Sequence, residues 1–404
     1  MIQEIRAKAR AYETDVVQFL REIVAIPSTS TKEQAVVERI ATEMRRAGLE
    51  DVHTDAVGNV LGRVGSGPII ILYDSHIDTV GVGDPSAWEH HPFQGKLQDG
   101  IIYGRGASDN KQAIATMIHG ARIIKDLGLE QDFTLWVVGV VEEESCDGWA
   151  IGETIRQGHI RPDFAVIGET TNLDIYRGHR GRCELKVTTK GVACHASAPE
   201  RGVNAIYKMQ RIIAGIEQLN DRLKDDSFLG KGTIAATYLE VKTGSYNVVP
   251  DECILYIDRR MTIGETAESA IAEIQALPDA EEATVELLRY SDPSWTGYEK
   301  DVPKDFPTWV MPEDHPLVQA GVEAAAGVRG WRPSISRWVF STDGVSIAGQ
   351  LGIPSIGFGP GEERWAHTVK DQVPVEQLVT ATAFYAAFPQ ILANRIGGKR
   401  SCTA

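Results

Sequence analysis

The chain has 404 residues, with 56 acidic and 41 basic side chains and therefore a formal net charge of −15. At roughly 150 residues per domain this length predicts about two or three domains, and the hydrophobic content of 43% excludes a disordered or fibrous protein. Phosphate binding needs clustered Lys and Arg, and the sequence has no basic run. Nucleic acid and anionic membrane surfaces are therefore not expected as partners.

The N-terminal segment and the cysteines favour a cytoplasmic protein. Residues 1–20 mix charged and apolar side chains and lack the apolar core of a signal peptide. No stretch reaches the roughly 20 apolar residues of a membrane-spanning helix. The odd number of cysteines without C-x-x-C spacing favours reduced thiols over a disulfide framework. They are Cys146, Cys183, Cys194, Cys253 and Cys402.

The first part of the chain alternates between helical patterns and short, continuous apolar runs. Such runs are typical of strands that are buried on both faces. The predicted elements are helices over residues 1–26, 31–47 and 111–127 and strands over residues 68–73, 133–141 and 164–167. Buried strands that alternate with helices predict a layered α/β domain with a mostly parallel sheet.

The pattern changes near Gly178 to half-buried alternation in the order β-α-β-β-α-β, which predicts a ferredoxin-like α+β arrangement. These elements are strands over residues 184–190, 233–241, 253–261 and 284–290 and helices over residues 203–219 and 265–277. A linker rich in proline and aromatic residues, 291–316, then returns to the first pattern. We therefore predict a domain at 180–294 inserted into a larger one formed by 1–179 and 295–404.

Ionisable side chains cluster where the predicted buried strands end, the edge at which α/β sheets bind ligands. They are His76, Asp78, Asp109, Glu142, Glu143, Glu144, Glu169 and His367. Each has a simpler interpretation alone, as a helix cap, a turn or a solvated acidic loop. Together, two histidines and several carboxylates form the mixed N/O ligand set of zinc, cobalt or manganese. The absence of cysteine from the set favours an open hydrolytic site over a structural zinc site.

Two of these segments suggest different functions for their side chains. His76 and Asp78 point to the same side of an extended segment, so Asp78 could orient the imidazole. The three consecutive glutamates repel one another unless a cation compensates them. One could therefore bind the cation while another acts as a general base with a raised pKa.

Other site types fail on spacing. Gly230-Lys231-Gly232-Thr233 does not supply a phosphate-binding Walker loop. Residues 106–110 lack the final glycine of a nucleophile elbow. Gly104-Arg105-Gly106 is not followed by a third glycine at the dinucleotide-binding spacing.

As an ordered set, these segments resemble the M20 metallopeptidase family, the group of acetylornithine deacetylase, succinyl-diaminopimelate desuccinylase and carboxypeptidase G. The residues that carry the resemblance are His76-Ile77-Asp78, Gly104-Arg105-Gly106 with Asp109, Glu142-Glu143, Gly168-Glu169 and Ala366-His367. Residues 78–80 and 88–103 also look similar to the branch of selenium-metabolism-linked hydrolases. The resemblance covers nearly the whole chain. It implies a catalytic domain with two divalent metal ions, usually zinc, and an inserted lid that forms a homodimer.

The resemblance also implies a role for each residue. Asp109 would bridge both ions, His76 and Glu169 would complete one, and Glu143 and His367 would complete the other. Asp78 would orient the metal-binding histidine, and Glu142 would be the general base. In the lid, His195 would stabilise the oxyanion, in many members from the partner subunit, and Asn247 and Arg260 would hold a substrate carboxylate.

These roles predict hydrolysis of an amide bond next to a free carboxylate, in an N-acyl amino acid or a small peptide, with a metal-bridged water as nucleophile. One alternative is an aminopeptidase or dipeptidase of the same family, which recognises a free amine. Another is a non-catalytic relative that binds a metal or ligand. Departures from the family pattern at Asn110 and at residues 341–344 argue against the transfer of a named substrate.

Overall fold

The first 180 residues contain five α-helices and eight strands, which alternate one by one only over residues 111–167. The structure is a computed structural model that describes residues 1–400, with side chains to residue 397. Cys402 lies outside the described residues. The elements of this part are α1 (Ile2–Ala11), α2 (Glu13–Val24), α3 (Gln34–Arg46), β1 (Glu50–Thr54), β2 (Val60–Val64), β3 (Ile69–His76), β4 (Lys96–Gln98), β5 (Ile101–Tyr103), α4 (Lys111–Leu127), β6 (Phe133–Val140), α5 (Trp149–Arg156), β7 (Phe164–Ile167) and β8 (Ile175–His179).

The middle of the chain forms most of a second, antiparallel sheet of five strands, in the order β11-β13-β9-β14 with residues 305–306 beside β9. Its elements are β9 (Gly181–Lys190), β10 (Cys194–His195), α6 (Ala205–Arg222), β11 (Thr233–Lys242), β12 (Val248–Val249), β13 (Glu252–Met261), α7 (Ala267–Gln275), β14 (Thr284–Leu287) and β15 (Arg289–Tyr290). Alternate residues of β9 are buried, and with α6 and α7 they form a separate apolar core. This is the predicted ferredoxin-like order.

The remaining chain returns to the first sheet. Its elements are β16 (Val302–Pro303), β17 (Asp305–Phe306), β18 (Trp309–Val310), α8 (Pro316–Arg329), β19 (Ile335–Trp338), β20 (Ser355–Gly357), β21 (Gln372–Pro374) and α9 (Val375–Arg400). No helix within residues 1–400 is long and apolar enough to cross a membrane.

Within the described residues, the large sheet has nine strands, in the order β1-β2-β6-β3-β7-β20-β8-β18 with β19 beside β8. Its centre, β6-β3-β7-β20, is parallel, whereas the outer strands β1, β2 and β18 are antiparallel to their neighbours. The central strands are apolar runs because helices cover both faces of the sheet. This confirms the predicted α/β class, with the parallel part confined to the centre.

The helix predicted over residues 1–26 is two helices, because the chain bends at Tyr12, whose backbone has φ −92° and ψ 4°. The Tyr12 hydroxyl bonds to Asp126, and its ring lies 4.0 Å from the Arg122 guanidinium. Both partners belong to α4. Anchoring on α4 therefore fixes a bend that the amphipathic pattern of the segment does not reveal.

Candidate metal centre

Three parallel strands bring the predicted ligands to one edge of the large sheet. His76 is the last residue of β3 and pairs with Val140 at the end of β6, and β3 also pairs with β7. Because parallel strands end at the same edge, the residues that follow β6 and β7 lie beside His76. A cavity of about 740 Å³ opens there. The polar residues that line it are His76, Asp109, Glu143, Glu144, Asp147, Glu169, Arg182, Arg260, Ser341, Glu363, Arg364 and His367.

Asp109 lies between the two histidines, with one carboxylate oxygen directed to each. Oδ1 is 3.0 Å from Nε2 of His76, and Oδ2 is 3.2 Å from Nε2 of His367. The N-cap position of α4 is occupied by Asn110, and the peptide bond between Asp109 and Asn110 is cis. Asp109 therefore faces both histidines and does not cap the helix.

Each histidine has a further carboxylate within reach. Nε2 of His76 is 3.1 Å from Oε1 of Glu169, and Nε2 of His367 is 2.9 Å from Oε2 of Glu144. The structure thus assembles two donor groups that share Asp109, one with His76 and Glu169 and the other with His367 and Glu144. The second group contains Glu144, to which the sequence assigned no role.

Glu143 lines the cavity beside His76, with Oε2 4.0 Å from Nε2 of His76. The Glu143 and Glu144 amides each donate to one carboxylate oxygen of Asp78 at 3.2 Å. Asp78 also lies 3.5 Å from Nδ1 of His76 and accepts a bond from Ser30 at 2.7 Å. The structure thus brings Asp78 beside His76, and Asp78 also holds the backbone that carries the cavity's glutamates.

Glu142 is fully buried and lies outside the set of residues that line the cavity. Its Oε2 accepts a hydrogen bond of 2.6 Å from the Tyr290 hydroxyl. The backbone of Glu142 has φ 59°, so the chain turns at this residue and directs the three glutamates to different places. The sequence does not predict this turn, because side chains alternate in direction only within a strand and β6 ends at Val140.

Without a cation, the cluster holds protons that a metal would displace. Burial by itself lowers the pKa of His76, but Glu169, Glu143 and the bonds to Asp109 and Asp78 raise it well above its ordinary value. Bonds to Asp109 and Glu144 raise the pKa of His367 to about 10. Burial raises the pKa of Glu143, and it raises that of Glu144 to about 7.

Asp109 is the exception, since burial would raise its pKa, but the bonds from His367 and His76 outweigh that effect and lower it. Asp109 thus stays ionised between two protonated histidines, and its negative charge favours positive charge beside it. Two His and three carboxylates are donors that divalent metal ions bind. The residues present therefore fit two such ions.

A buried carboxylate joins the two turns that carry Asp109 and His367. Asp371 accepts hydrogen bonds from the Gly106 and Ser108 amides at 2.8 and 2.7 Å, from the Ser108 hydroxyl at 2.8 Å and from the Arg105 guanidinium at 3.2 Å. It lies four residues after His367. Sequence reasoning missed Asp371, whose partners lie more than 260 residues away.

The three residues predicted to act from the lid lie in two different parts of the structure. Arg260 lines the cavity, where its guanidinium contacts both oxygens of Asp258 at 2.7 and 3.0 Å. His195 and Asn247 lie side by side on an exposed part of the surface outside the cavity, since the Ala196 amide donates to the Asn247 carbonyl at 2.8 Å. The structure therefore brings Arg260 to the ligand cluster but leaves His195 and Asn247 apart from it.

Comparison with known proteins finds relatives over nearly the whole chain. The chain is 47% identical over 387 residues to the uncharacterized protein YgeY of Escherichia coli strain K12, covering 95% of this chain and 96% of YgeY. It is 26% identical to the N-formyl-4-amino-5-aminomethyl-2-methylpyrimidine deformylase of Bacillus subtilis, covering 96% of each. The crystal structure of aminopeptidase PepT from Bacillus cereus superimposes with a TM-score of 0.72 at 23% identity, covering 94% of this chain and 99% of PepT.

The family model described as peptidase family M20/M25/M40 matches residues 72–390. This match spans the candidate metal centre from His76 to His367, and it confirms the resemblance seen in the sequence. The chain therefore belongs to peptidase family M20/M25/M40 and is a metal-dependent hydrolase of amide or peptide bonds.

Proposed function

We propose that this hydrolase cleaves an amide bond next to a free carboxylate, in an N-acyl amino acid or a small peptide, at a site with two divalent metal ions. The pair of donor groups that share Asp109 carries the proposal. Zinc suits two His and three carboxylates, and cobalt and manganese bind similar sets. Two bound ions supply a Lewis acid for the amide carbonyl and lower the pKa of water to about 7.

The general base is Glu143, in place of the predicted Glu142, and Glu144 takes the ligand role predicted for Glu143. Glu143 lines the cavity beside His76, and burial raises its pKa, which suits a group that accepts and returns a proton. It takes a proton from the attacking water and gives it to the leaving nitrogen. Glu142 is already bonded to Tyr290 outside the cavity.

The substrate carboxylate is bound by Arg260. This side chain is partly exposed to the cavity, on the wall formed by the five-stranded sheet. Its bonds to Asp258 use Nε and Nη2, so Nη1 is available for an incoming carboxylate. A guanidinium binds planar carboxylates well because its donors form a fixed fork.

We propose that residues 180–294 act as the lid and join two chains into a homodimer. Apolar side chains are exposed on this part of the chain, as a dimer interface requires. They are Val192, Val203, Tyr207, Tyr238 and Leu239. In such a dimer, His195 and Asn247 of one chain reach the cavity of the other, where His195 donates to the oxyanion and Asn247 contacts the substrate.

A cytoplasmic location follows from the thiols. Cys146, Cys183 and Cys253 are buried and free, and burial raises the pKa of each. Free, unreactive thiols of this kind suit a reducing compartment.

A substrate panel tests the proposal. The protein loaded with Zn²⁺, Co²⁺ or Mn²⁺ is assayed with N-acetyl, N-succinyl and N-carbamoyl amino acids, with dipeptides, and with matched amides that lack the free carboxylate. Turnover is expected only for compounds with the carboxylate. The second candidate is an aminopeptidase or dipeptidase, since the Glu363 carboxylate also lines the cavity and could bind an amine. Equal turnover of carboxylate and amide forms would favour it.

A further inference from the structure

Glu142 is a buried acid with no part in the proposed chemistry, although it directly precedes Glu143 and Glu144. Its carboxylate lies 2.6 Å from the hydroxyl of Tyr290, which is 148 residues further along the chain. Burial and the adjacent Glu142 both raise the pKa of Tyr290. The hydroxyl therefore keeps its proton and donates it to the carboxylate.

The Tyr290 hydroxyl holds the residue that directly precedes the two glutamates facing the cavity. It donates to the Glu142 side chain at 2.6 Å. The Tyr290 ring is buried and packs edge-on against Trp149 at 5.8 Å. Tyr290 therefore contacts the start of the turn from a fixed position.

The turn needs such an anchor because Glu142 adopts φ 59°. A residue with a side-chain β-carbon is strained in this region and persists where its surroundings hold it. The Glu142 amide donates to Glu33 at 3.2 Å, and its carbonyl accepts from Cys146 at 3.1 Å. Tyr290 supplies the bond that holds the side chain itself.

We propose that Tyr290 is a positioning residue for the metal centre: its bond to Glu142 keeps the turn in place, and the turn sets the directions of Glu143 and Glu144. Tyr290 belongs to β15, which directly follows β14, an edge strand of the five-stranded sheet. The metal centre is thus held partly by the segment through which the chain leaves the inserted sheet. This inference rests on the proposed two-metal function.

Metal affinity tests it without any substrate. Tyr290→Phe is compared with Tyr298→Phe, a matched control whose hydroxyl donates at 2.9 Å to the buried Glu153 and whose ring packs on the same Trp149 at 6.3 Å. Affinity is measured for Zn²⁺ and Co²⁺ by competition with a chelator. Groups that orient metal ligands typically change affinity by about 10–100-fold, so Tyr290→Phe is expected to weaken binding at least tenfold. Tyr298→Phe is expected to change it less than twofold.

Two further variants separate positioning from general destabilisation. Glu142→Gln keeps a side-chain oxygen that accepts the hydrogen bond from Tyr290. Because this bond is retained, metal affinity is expected to stay within about threefold. Glu142→Ala removes the acceptor and should match Tyr290→Phe. The absorption spectrum of the Co²⁺-loaded protein should change in Glu142→Ala and Tyr290→Phe but not in Glu142→Gln. Equal affinities and spectra for Tyr290→Phe and Tyr298→Phe would overturn the inference, whereas failure of every substrate in the panel would overturn only the proposed reaction.

Discussion

Asp371→Asn tests whether one buried carboxylate holds together the turns that carry Asp109 and His367. The change keeps the size of the side chain but replaces one acceptor oxygen by an amide group. Oδ1 accepts from the Ser108 amide and hydroxyl, and Oδ2 accepts from Gly106 and Arg105. If the new amide faces Gly106 and Arg105, it meets two donors and two of the four bonds are lost. If it faces Ser108, it meets the donating Ser108 amide, but the hydroxyl can accept from it, so one bond is lost.

The expected loss of stability follows from the one or two bonds that are lost. A hydrogen bond to a charged group contributes about 1.5–3 kcal/mol, so the free energy of unfolding should fall by about 1.5–6 kcal/mol. With an unfolding entropy of about 2.1 cal/mol/K per residue, the Tm of this 404-residue chain shifts by about 1.2 °C per kcal/mol and should fall by about 2–7 °C. Burial raises the pKa of Asp371 to about 6 in spite of its donors. The measurement therefore belongs at pH 7.5, where the carboxylate is ionised.

The assay is thermal unfolding with and without Zn²⁺, together with Zn²⁺ affinity by chelator competition, where a loss of about tenfold is expected for a group that orients metal-binding turns. Asp226→Asn is the control. Asp226 also accepts two backbone bonds, from Phe228 and Leu229 at 2.9 and 2.8 Å, but in its own exposed turn, where asparagine is tolerated. If the two variants melt at the same temperature and bind Zn²⁺ equally, the assigned role of Asp371 is refuted.

Four further predictions concern the reaction and the binding of the metal. Glu143→Gln should lower kcat by about 10²–10⁴ with metal content unchanged, and Glu142→Gln should lower it far less; the reverse order in steady-state kinetics would restore Glu142 as the base. Arg260→Met should raise KM by about 10–100-fold, the equivalent of one charge-assisted bond, for substrates with a free carboxylate; the same increase for matched amides would contradict that role. Mixing the inactive Glu143→Gln and His195→Ala proteins should restore part of the activity, because exchange of subunits creates one intact site; no recovery would place His195 in its own chain's site. Burial raises the pKa of Glu144 to about 7 in the metal-free protein, above its value of about 4.3 in the unfolded chain. The native state then binds more protons between these values and loses stability as the pH rises through them, while Zn²⁺ displaces the proton. The increase in Tm caused by a fixed free Zn²⁺ concentration should therefore grow from pH 5.5 to 7.5, and a constant increase would contradict the assignment.

The amino-acid sequence determined the class of fold and most of the ligand set by local means. The apolar runs that became β3, β6 and β7 are continuous because the centre of the sheet is covered on both sides, and that pattern is visible without a structure. His76, Asp109, Glu169 and His367 each follow such a strand or lie in a glycine-flanked turn. The parallel order of β3, β6 and β7 places His76 and Glu169 at one sheet edge, whereas Asp109 and His367 reach it on turns that Asp371 holds together.

The directions of the side chains within the acidic run were decided only by the tertiary structure. Three identical side chains in succession carry no information about which of them faces the cavity once the strand has ended. That choice depends on the turn at Glu142, and the turn depends on Tyr290, a partner from a distant part of the chain. Asp371 and the bend at Tyr12 are further cases, because each is fixed by contacts between segments far apart in sequence. Local patterns report which surfaces of a segment are buried, whereas the direction of a side chain beyond a strand end is set by the groups that pack against it.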